Sequence, residues 1–323
     1  MSHHGLTRRE FITRITAATA LAAGSGALGW LFHNRRLVPS AGRAITIPSF
    51  AVAGTDSLMA VAHGQDSAKA VAAALQELGG IRRFIKPGDR VLLKPNCAFD
   101  RPAHLGATTS PEVLAEVVRQ CRTAGASDIR VIDNPINDAA GCFSKSGLTK
   151  AAEAAGGRIW LPEPGLFSTV KIGPLCIPEW EALGAPLKWA TKIIGLPTVK
   201  SHNLSGASLT MKNWYGLLGG PRNRLHQSIH EVIVDLGCFI TPTLVVMDGS
   251  RLLKRNGPTG GNPDDVEPGN VIAAGTDQVA LDTFGATLLD RKPDEIAYLA
   301  KAEQQGLGKR DWKSLKTFRE ITL

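Results

Sequence analysis

Four short polar clusters each stand directly behind an apolar run. Lys94-Pro95-Asn96 follows Val91-Leu92-Leu93, and Asp133-Asn134-Pro135 follows Ile129–Ile132. Lys200-Ser201-His202-Asn203 closes the stretch Lys192–Val199, and Asp248-Gly249-Ser250 follows Leu244–Met247. Lysine ammonium groups answer the needs of a carboxylate or phosphate, amides and hydroxyls add hydrogen bonds, and an imidazole titrates where a general acid or base must. On that chemistry Lys94, Asn96, Thr108, Thr109, Lys212, Asn213 and Asp248 are the candidate ligand-binding residues. His202, Lys200 and Asp277 are the catalytic candidates, with His202 as acid or base and Asp248 or Asp277 orienting it or helping to hold a cation.

Three further patterns bear on the same chemistry. Ala107-Thr108-Thr109-Ser110-Pro111 puts hydroxyls at the start of a helix, which serves equally as an anion site or as simple capping. His226 and His230 lie four apart on an expected helix and so on one face, a spacing compatible with a divalent metal whose third ligand would be His202 or Asp235. The order is H-x-x-x-H-E rather than H-E-x-x-H, and a structural role for the pair competes with the metal. Gly257-Pro258-Thr259-Gly260-Gly261 lacks both G-x-G-x-x-G and G-K-[ST], so it reads as a lid or tight loop rather than a nucleotide cradle. No G-x-S-x-G elbow is present and no cysteine stands beside a clear base.

The elements that must position these residues follow from pattern. Apolar periodicity and punctuation predict helices over Ser67–Leu78, Pro111–Ala124, Leu148–Ala155, Ser208–Leu218, Gln227–Leu236, Val279–Leu289 and Ile296–Glu303. Strands are predicted at Val91–Leu93, Ile129–Ile132, Lys192–Val199, Leu244–Met247 and Val271–Ala274. The alternation predicts an α/β fold with a mostly parallel or mixed sheet covered by helices on both faces. In such sheets ligands bind beyond the carboxyl ends of the strands, which is where the clusters stand. Asp282, inside the apolar helix Val279–Leu289, is hard to explain as surface.

The first 43 residues carry six arginines and one acid, which is five of the eight net positive charges of the 323-residue chain. Thr7-Arg8-Arg9-Glu10-Phe11-Ile12 matches the twin-arginine export pattern, and the 18 residues from Ile15 to Phe32 are uncharged. This predicts handling by the twin-arginine translocase and export to the periplasm or the outer face of the cytoplasmic membrane. The segment 1–43 then serves as a cleaved signal or stays in the membrane as an N-terminal anchor. Residues 44–66 read as a linker and 67–323 as a single domain. With so little excess charge left on that domain, nucleic acid is not an expected partner. Cys97, Cys121, Cys142, Cys176 and Cys238 form no C-x-x-C, so no iron–sulfur cysteine motif is present; they read as small buried hydrophobes.

Taken in order, Leu92–Asn96, Ala107–Pro111, Leu196–His202, Thr210–Gly216, His226, Gly257–Gly261 and Ala274–Asp282 resemble the family catalogued as domain of unknown function 362. The resemblance runs from Asp89 to Gly308. It implies recurring polar positions at Lys94, Asn96, Thr108, Thr109, Lys200, His202, Lys212, Asn213 and Asp277. Many relatives carry ferredoxin-type cysteines; this chain has none of those motifs, so that role does not transfer. Two functions are expected from the residues together. One is an exported enzyme on a small anionic substrate. The other is a non-catalytic ligand-binding or maturation protein for an exported redox complex.

Overall fold

The structure, a computed structural model, describes residues 44–323 together with Arg9. The export pattern apart from Arg9, and the apolar segment Ile15–Phe32, lie outside the described residues. Twelve strands are present: β1 (Leu58–His63), β2 (Arg90–Pro95), β3 (Asp128–Val131), β4 (Arg158–Ile159), β5 (Ser168–Lys171), β6 (Glu179–Ala182), β7 (Lys192–Leu196), β8 (Thr198–His202), β9 (Gly206–Ser208), β10 (Leu244–Leu253), β11 (Val266–Gly275) and β12 (Thr317–Thr322). The α-helices are α1 (Ser67–Glu77), α2 (Pro111–Thr123), α3 (Ala139–Lys145), α4 (Leu148–Ala155), α5 (Gly184–Trp189), α6 (Thr210–Asn213), α7 (Ile229–Phe239), α8 (Gln278–Leu288) and α9 (Ala297–Gln304).

Ten strands form one mixed sheet along β12-β1-β11-β10-β7-β2-β3-β4, with β8 and β9 branching from β10; β5 and β6 make a separate hairpin. The centre is parallel: β10 with β7, β7 with β2, β2 with β3. β2, β7 and the first half of β10 are buried on both faces, as their runs of Val, Ile and Leu require, whereas β3 buries only alternate residues. Alternate residues feed two cores. Leu92, Ile193, Val245 and Met247 pack with Val232 of α7, Leu281 of α8 and Leu299 of α9. Val91, Leu93, Ile194 and Val246 pack with Val71 of α1, Val117 of α2 and Leu148 of α4. The expected α/β class, with helices on both faces of the sheet, is the one observed.

Four local expectations change. The stretch 44–66 contributes β1, which runs antiparallel to β11 and parallel to β12, so the ordered unit begins before residue 67. The apolar run Leu58–Ala62 is short and stands within turn-rich surroundings. The stretch Lys192–Val199 divides into β7 and β8, with Pro197 between them. A proline lacks the N–H that would continue the ladder. The helix over Ser208–Leu218 is confined to α6, entered from β9 and followed by a 3-10 turn at Trp214–Leu217. Residues Arg222–Ser228 are likewise 3-10, and α7 starts only at Ile229. No helix among the described residues is long and apolar enough to cross a membrane.

Candidate functional site

Because β2, β3 and β7 run parallel, with β8 continuing from β7, their carboxyl ends open on one cleft. Lys94, Asn96, Asp133, Lys200 and His202 line it from the strand ends. Lys212, Asn213, Tyr215, Gly216, Arg222 and His226 close it from the segment after β9. Its enclosed cavity is small, about 90 Å³, and it opens to solvent at its mouth. Four basic side chains (Lys94, Lys200, Lys212 and Arg222) face one carboxylate, Asp133.

The floor is a closed hydrogen-bond network. Lys94 Nζ meets Asp133 Oδ1 at 3.0 Å and donates to Pro95 O at 2.6 Å and Asn213 Oδ1 at 3.2 Å. The other Asp133 oxygen accepts from Cys97 N at 2.7 Å. Asn213 Nδ2 donates to Lys94 O, and Asn96 Nδ2 donates to Asn213 Oδ1 at 3.2 Å. Lys200 Nζ donates to Asn96 Oδ1 at 2.9 Å and Ala107 O at 2.7 Å. The two asparagines therefore carry lysines rather than reach for a ligand. Asp133 is the member whose importance a turn-like Asp-Asn-Pro conceals.

Lys200 and Lys212 are different in kind. Among the described residues neither has a carboxylate within ion-pair distance. Lys212 Nζ lies 5.1 Å from the Tyr215 ring and has no hydrogen-bond acceptor among the described residues. Burial, helped by the neighbouring Lys212, draws Lys200 down to about 7; burial and Arg222 draw Lys212 down to about 8. Arg222 spends its donors on the carbonyls of Asn134, Pro135, Tyr215 and Leu218. It contributes charge while bracing the loop after β3. Nothing in the sequence around Pro221-Arg222-Asn223 marks that role.

The two cleft histidines are held in opposite tautomers. His202 Nδ1 accepts from Leu204 N at 3.2 Å and Ser205 N at 3.3 Å, which leaves its proton on Nε2. Burial, followed by Lys212 and Lys200, pushes its pKa down to about 2. In that tautomer Nε2–H is a hydrogen-bond donor, and burial with the two lysines disfavours the charged ring. His226 Nδ1 lies 3.0 Å from Asn223 O and 3.2 Å from Tyr215 Oη, and the Tyr215 hydroxyl itself donates to Arg222 O. Nδ1 must then carry the proton, and Nε2 keeps its lone pair. Burial lowers the His226 pKa as well. The two rings stack nearly parallel with centroids 6.2 Å apart.

Small and acidic residues place this machinery. A Cβ on Gly216 would fall on Asp133 Oδ1 and against Lys94 Nζ. One on Gly195 would strike the Trp214 ring, whose Nε1 donates to Gln278 Oε1 at 2.6 Å. Asp282 accepts from Thr210 N at 2.6 Å and Met211 N at 3.1 Å, capping the first turn of α6 and so setting Lys212 and Asn213. Burial pushes its carboxyl up to about 7.

Other candidates stand elsewhere. Asp277 N-caps α8 through Ala280 N at 2.9 Å and also accepts from Lys309 N. It follows β11, which is antiparallel to β10, so it lies at the opposite edge of the sheet. Asp248 accepts from Ser110 N at 2.6 Å and Ser250 Oγ at 2.6 Å, anchoring the start of α2. Thr109 Oγ1 accepts from Asn96 N and donates to Leu196 O, pinning the ends of β2 and β7. Thr108 is buried outside the cleft lining, its hydroxyl without a partner among the described residues. His230 faces Tyr298, ring centroids 6.4 Å apart, while His226 faces the cleft. The shared face disappears because His226 is not in the helix. No group of three or more His, Cys, Asp or Glu among the described residues could hold a metal ion. Cys97, Cys121 and Cys142 are buried as expected; Cys176 is exposed and Cys238 half-buried.

Fold and site together define an α/β protein with a cationic cleft at the carboxyl edge of its parallel strands. The chain belongs to the family described as Domain of unknown function (DUF362), whose model matches residues 91–287. It is similar to the thylakoid-associated protein sll1697 of Synechocystis sp. (strain ATCC 27184 / PCC 6803 / Kazusa). The two are 28% identical over 249 residues, covering 72% of this chain and 73% of that protein. No solved structure matches.

Proposed function

We propose that this protein is exported and binds a small, multiply charged anion, a phosphate or carboxylate, in the cleft, with His226 placed to accept a proton from it. The observation that carries the reading is the pair Lys200 and Lys212, buried in one cleft with no carboxylate of the described residues against either. Buried cations are costly unless paired, and an anion between them supplies the missing charge. Lys200, Lys212 and the His202 Nε2–H would touch it. Lys94, Asn96, Asn213 and Asp133 are positioning residues that hold those groups, and Arg222 adds field. His226 Nε2, neutral because its pKa is lowered, is the free proton acceptor facing the cleft.

The test is calorimetric titration of inorganic phosphate and malonate at pH 6.5 into the wild type, Lys200→Met and Lys212→Met. Each variant should bind roughly 10- to 100-fold more weakly, the loss of one charge-assisted contact, while keeping its melting transition. Equal binding in the variants, or none in the wild type, sinks the reading. Export rests on Thr7–Ile12 and gains support from a thylakoid-associated relative, which points to a membrane-linked address. Changing Arg8 and Arg9 to lysine should leave the protein in the cytoplasm on fractionation; export undiminished would refute it.

A further inference from the structure

Above its cationic floor the cleft is walled largely by carbon. Ala98 and Phe99 follow Asn96 on one loop, Ile136 stands on the loop after β3, and Pro258 also lines the cleft. Ile136 N donates to Ala98 O at 2.8 Å, which ties the first two loops into a single rim. Ile136 is 61% exposed, the most exposed large hydrophobic side chain among the described residues. A lone exposed apolar residue needs no explanation. This one continues an apolar wall that runs down to the ammonium groups. Lys200 Nζ lies 5.2 Å from the Phe99 ring, as Lys212 Nζ lies 5.1 Å from that of Tyr215. A head group held by those two lysines would project any body it carries along Phe99 and out under Ile136.

We infer that the anion taken by this cleft carries an aromatic or apolar body, its charged head on Lys200, Lys212 and His202 and its body between Phe99, Ile136 and Pro258. This rests on the anion reading above and narrows it to amphipathic anions. Covering Ile136 and the face of Phe99 removes apolar surface from water, which a bare inorganic anion leaves exposed. The floor sets the charge and the rim selects what is attached to it.

Two matched pairs of equal charge separate head from body: phenyl phosphate against methyl phosphate, and phenylmalonate against methylmalonate. Each is titrated into the wild type and Ile136→Ser, a change at an exposed site that the fold tolerates. In the wild type the ring compound should bind at least about tenfold tighter than its methyl partner in whichever pair binds. Ile136→Ser should shrink that gap while leaving the methyl compounds unchanged. Equal binding within a pair overturns this inference and leaves the anion reading standing. A gap undiminished in Ile136→Ser overturns the placement of the body, and no binding by any of the four removes both.

Discussion

Asp133 and Lys94 meet at 3.0 Å at the ends of two neighbouring parallel strands, neither side chain more than 2% exposed. This pair divides the cations of the cleft into two kinds. Lys94 has its countercharge and spends its remaining donors on Pro95 O and Asn213 Oδ1. Among the described residues Lys200 and Lys212 have no such carboxylate, and on the proposed reading a bound anion takes its place. Lys94 thus belongs to the scaffold of the site although its residue type alone recommends it for contact.

Removing the charge of Asp133 should therefore cost stability before it costs binding. Asp133→Asn leaves a buried ammonium without its partner, and denaturant unfolding should register a loss of about 3 kcal/mol or more. The double change Lys94→Met with Asp133→Leu should recover part of that loss. A single variant as stable as the wild type would mean that the pair is not coupled as its geometry implies.

Gly216→Ala should be destabilising by about 1–3 kcal/mol through overpacking, because its Cβ falls on Asp133 Oδ1 and Lys94 Nζ. The same measurement on Gly165→Ala, where nothing lies within reach of a Cβ, is the control. Equal melting of the two variants would contradict the packing read around Asp133.

The lysines predict opposite pH trends for stability and for binding. Burial holds Lys200 at about 7 and Lys212 at about 8, against 10.5 in an unfolded chain. Between about pH 7 and 10 the unfolded chain keeps protons that the folded protein has shed, so these two groups make stability rise with pH. Anion affinity falls over the same interval as the ammonium charge is lost. Thermal unfolding from pH 6 to 9.5, with and without sulfate, should show the ligand-free melting point rising and the sulfate increment shrinking. A Lys200→Met, Lys212→Met double variant should lose the sulfate trend and flatten the other, the remaining slope coming from Lys94, which burial also lowers. A wild type indistinguishable from that variant would overturn the assignment.

The ring nitrogens can be read directly. At pH 6, ¹⁵N-correlated spectra should show His202 protonated on Nε2 with Nδ1 bare, and His226 with the reverse tautomer. His202 should stay neutral far into acid, given its pKa of about 2. Finding His202 charged at pH 5 would contradict the two backbone N–H donors at Nδ1.

Asp277→Ala tests what lies outside the cleft. Losing the N-cap of α8 should cost about 1–2 kcal/mol of stability, with sulfate affinity unchanged. Weakened binding would return Asp277 to the site.

The amino-acid sequence determined the class of fold, because apolar runs separated by helical periodicity specify strands and helices locally. It also placed Lys94, Asn96, Lys200 and His202 at one edge, since residues that follow parallel strands must share an end. The short motif Lys212-Asn213-Trp214-Tyr215-Gly216 is legible as part of the cleft from its residue types, although its helix is shorter than periodicity predicts. Tertiary structure decided the rest. Strand direction is not written in a run of Val and Ile, so only the antiparallel setting of β11 sent Asp277 to the far edge. Helix phase is lost where a segment turns 3-10, so only the fold parted His226 from His230. Which lysine is paired and which is free, and which ring nitrogen keeps its proton, depend on partners as far apart in sequence as Lys94 and Asn213. Charge and tautomer are set by neighbours in space, and those neighbours exist only once the chain has folded.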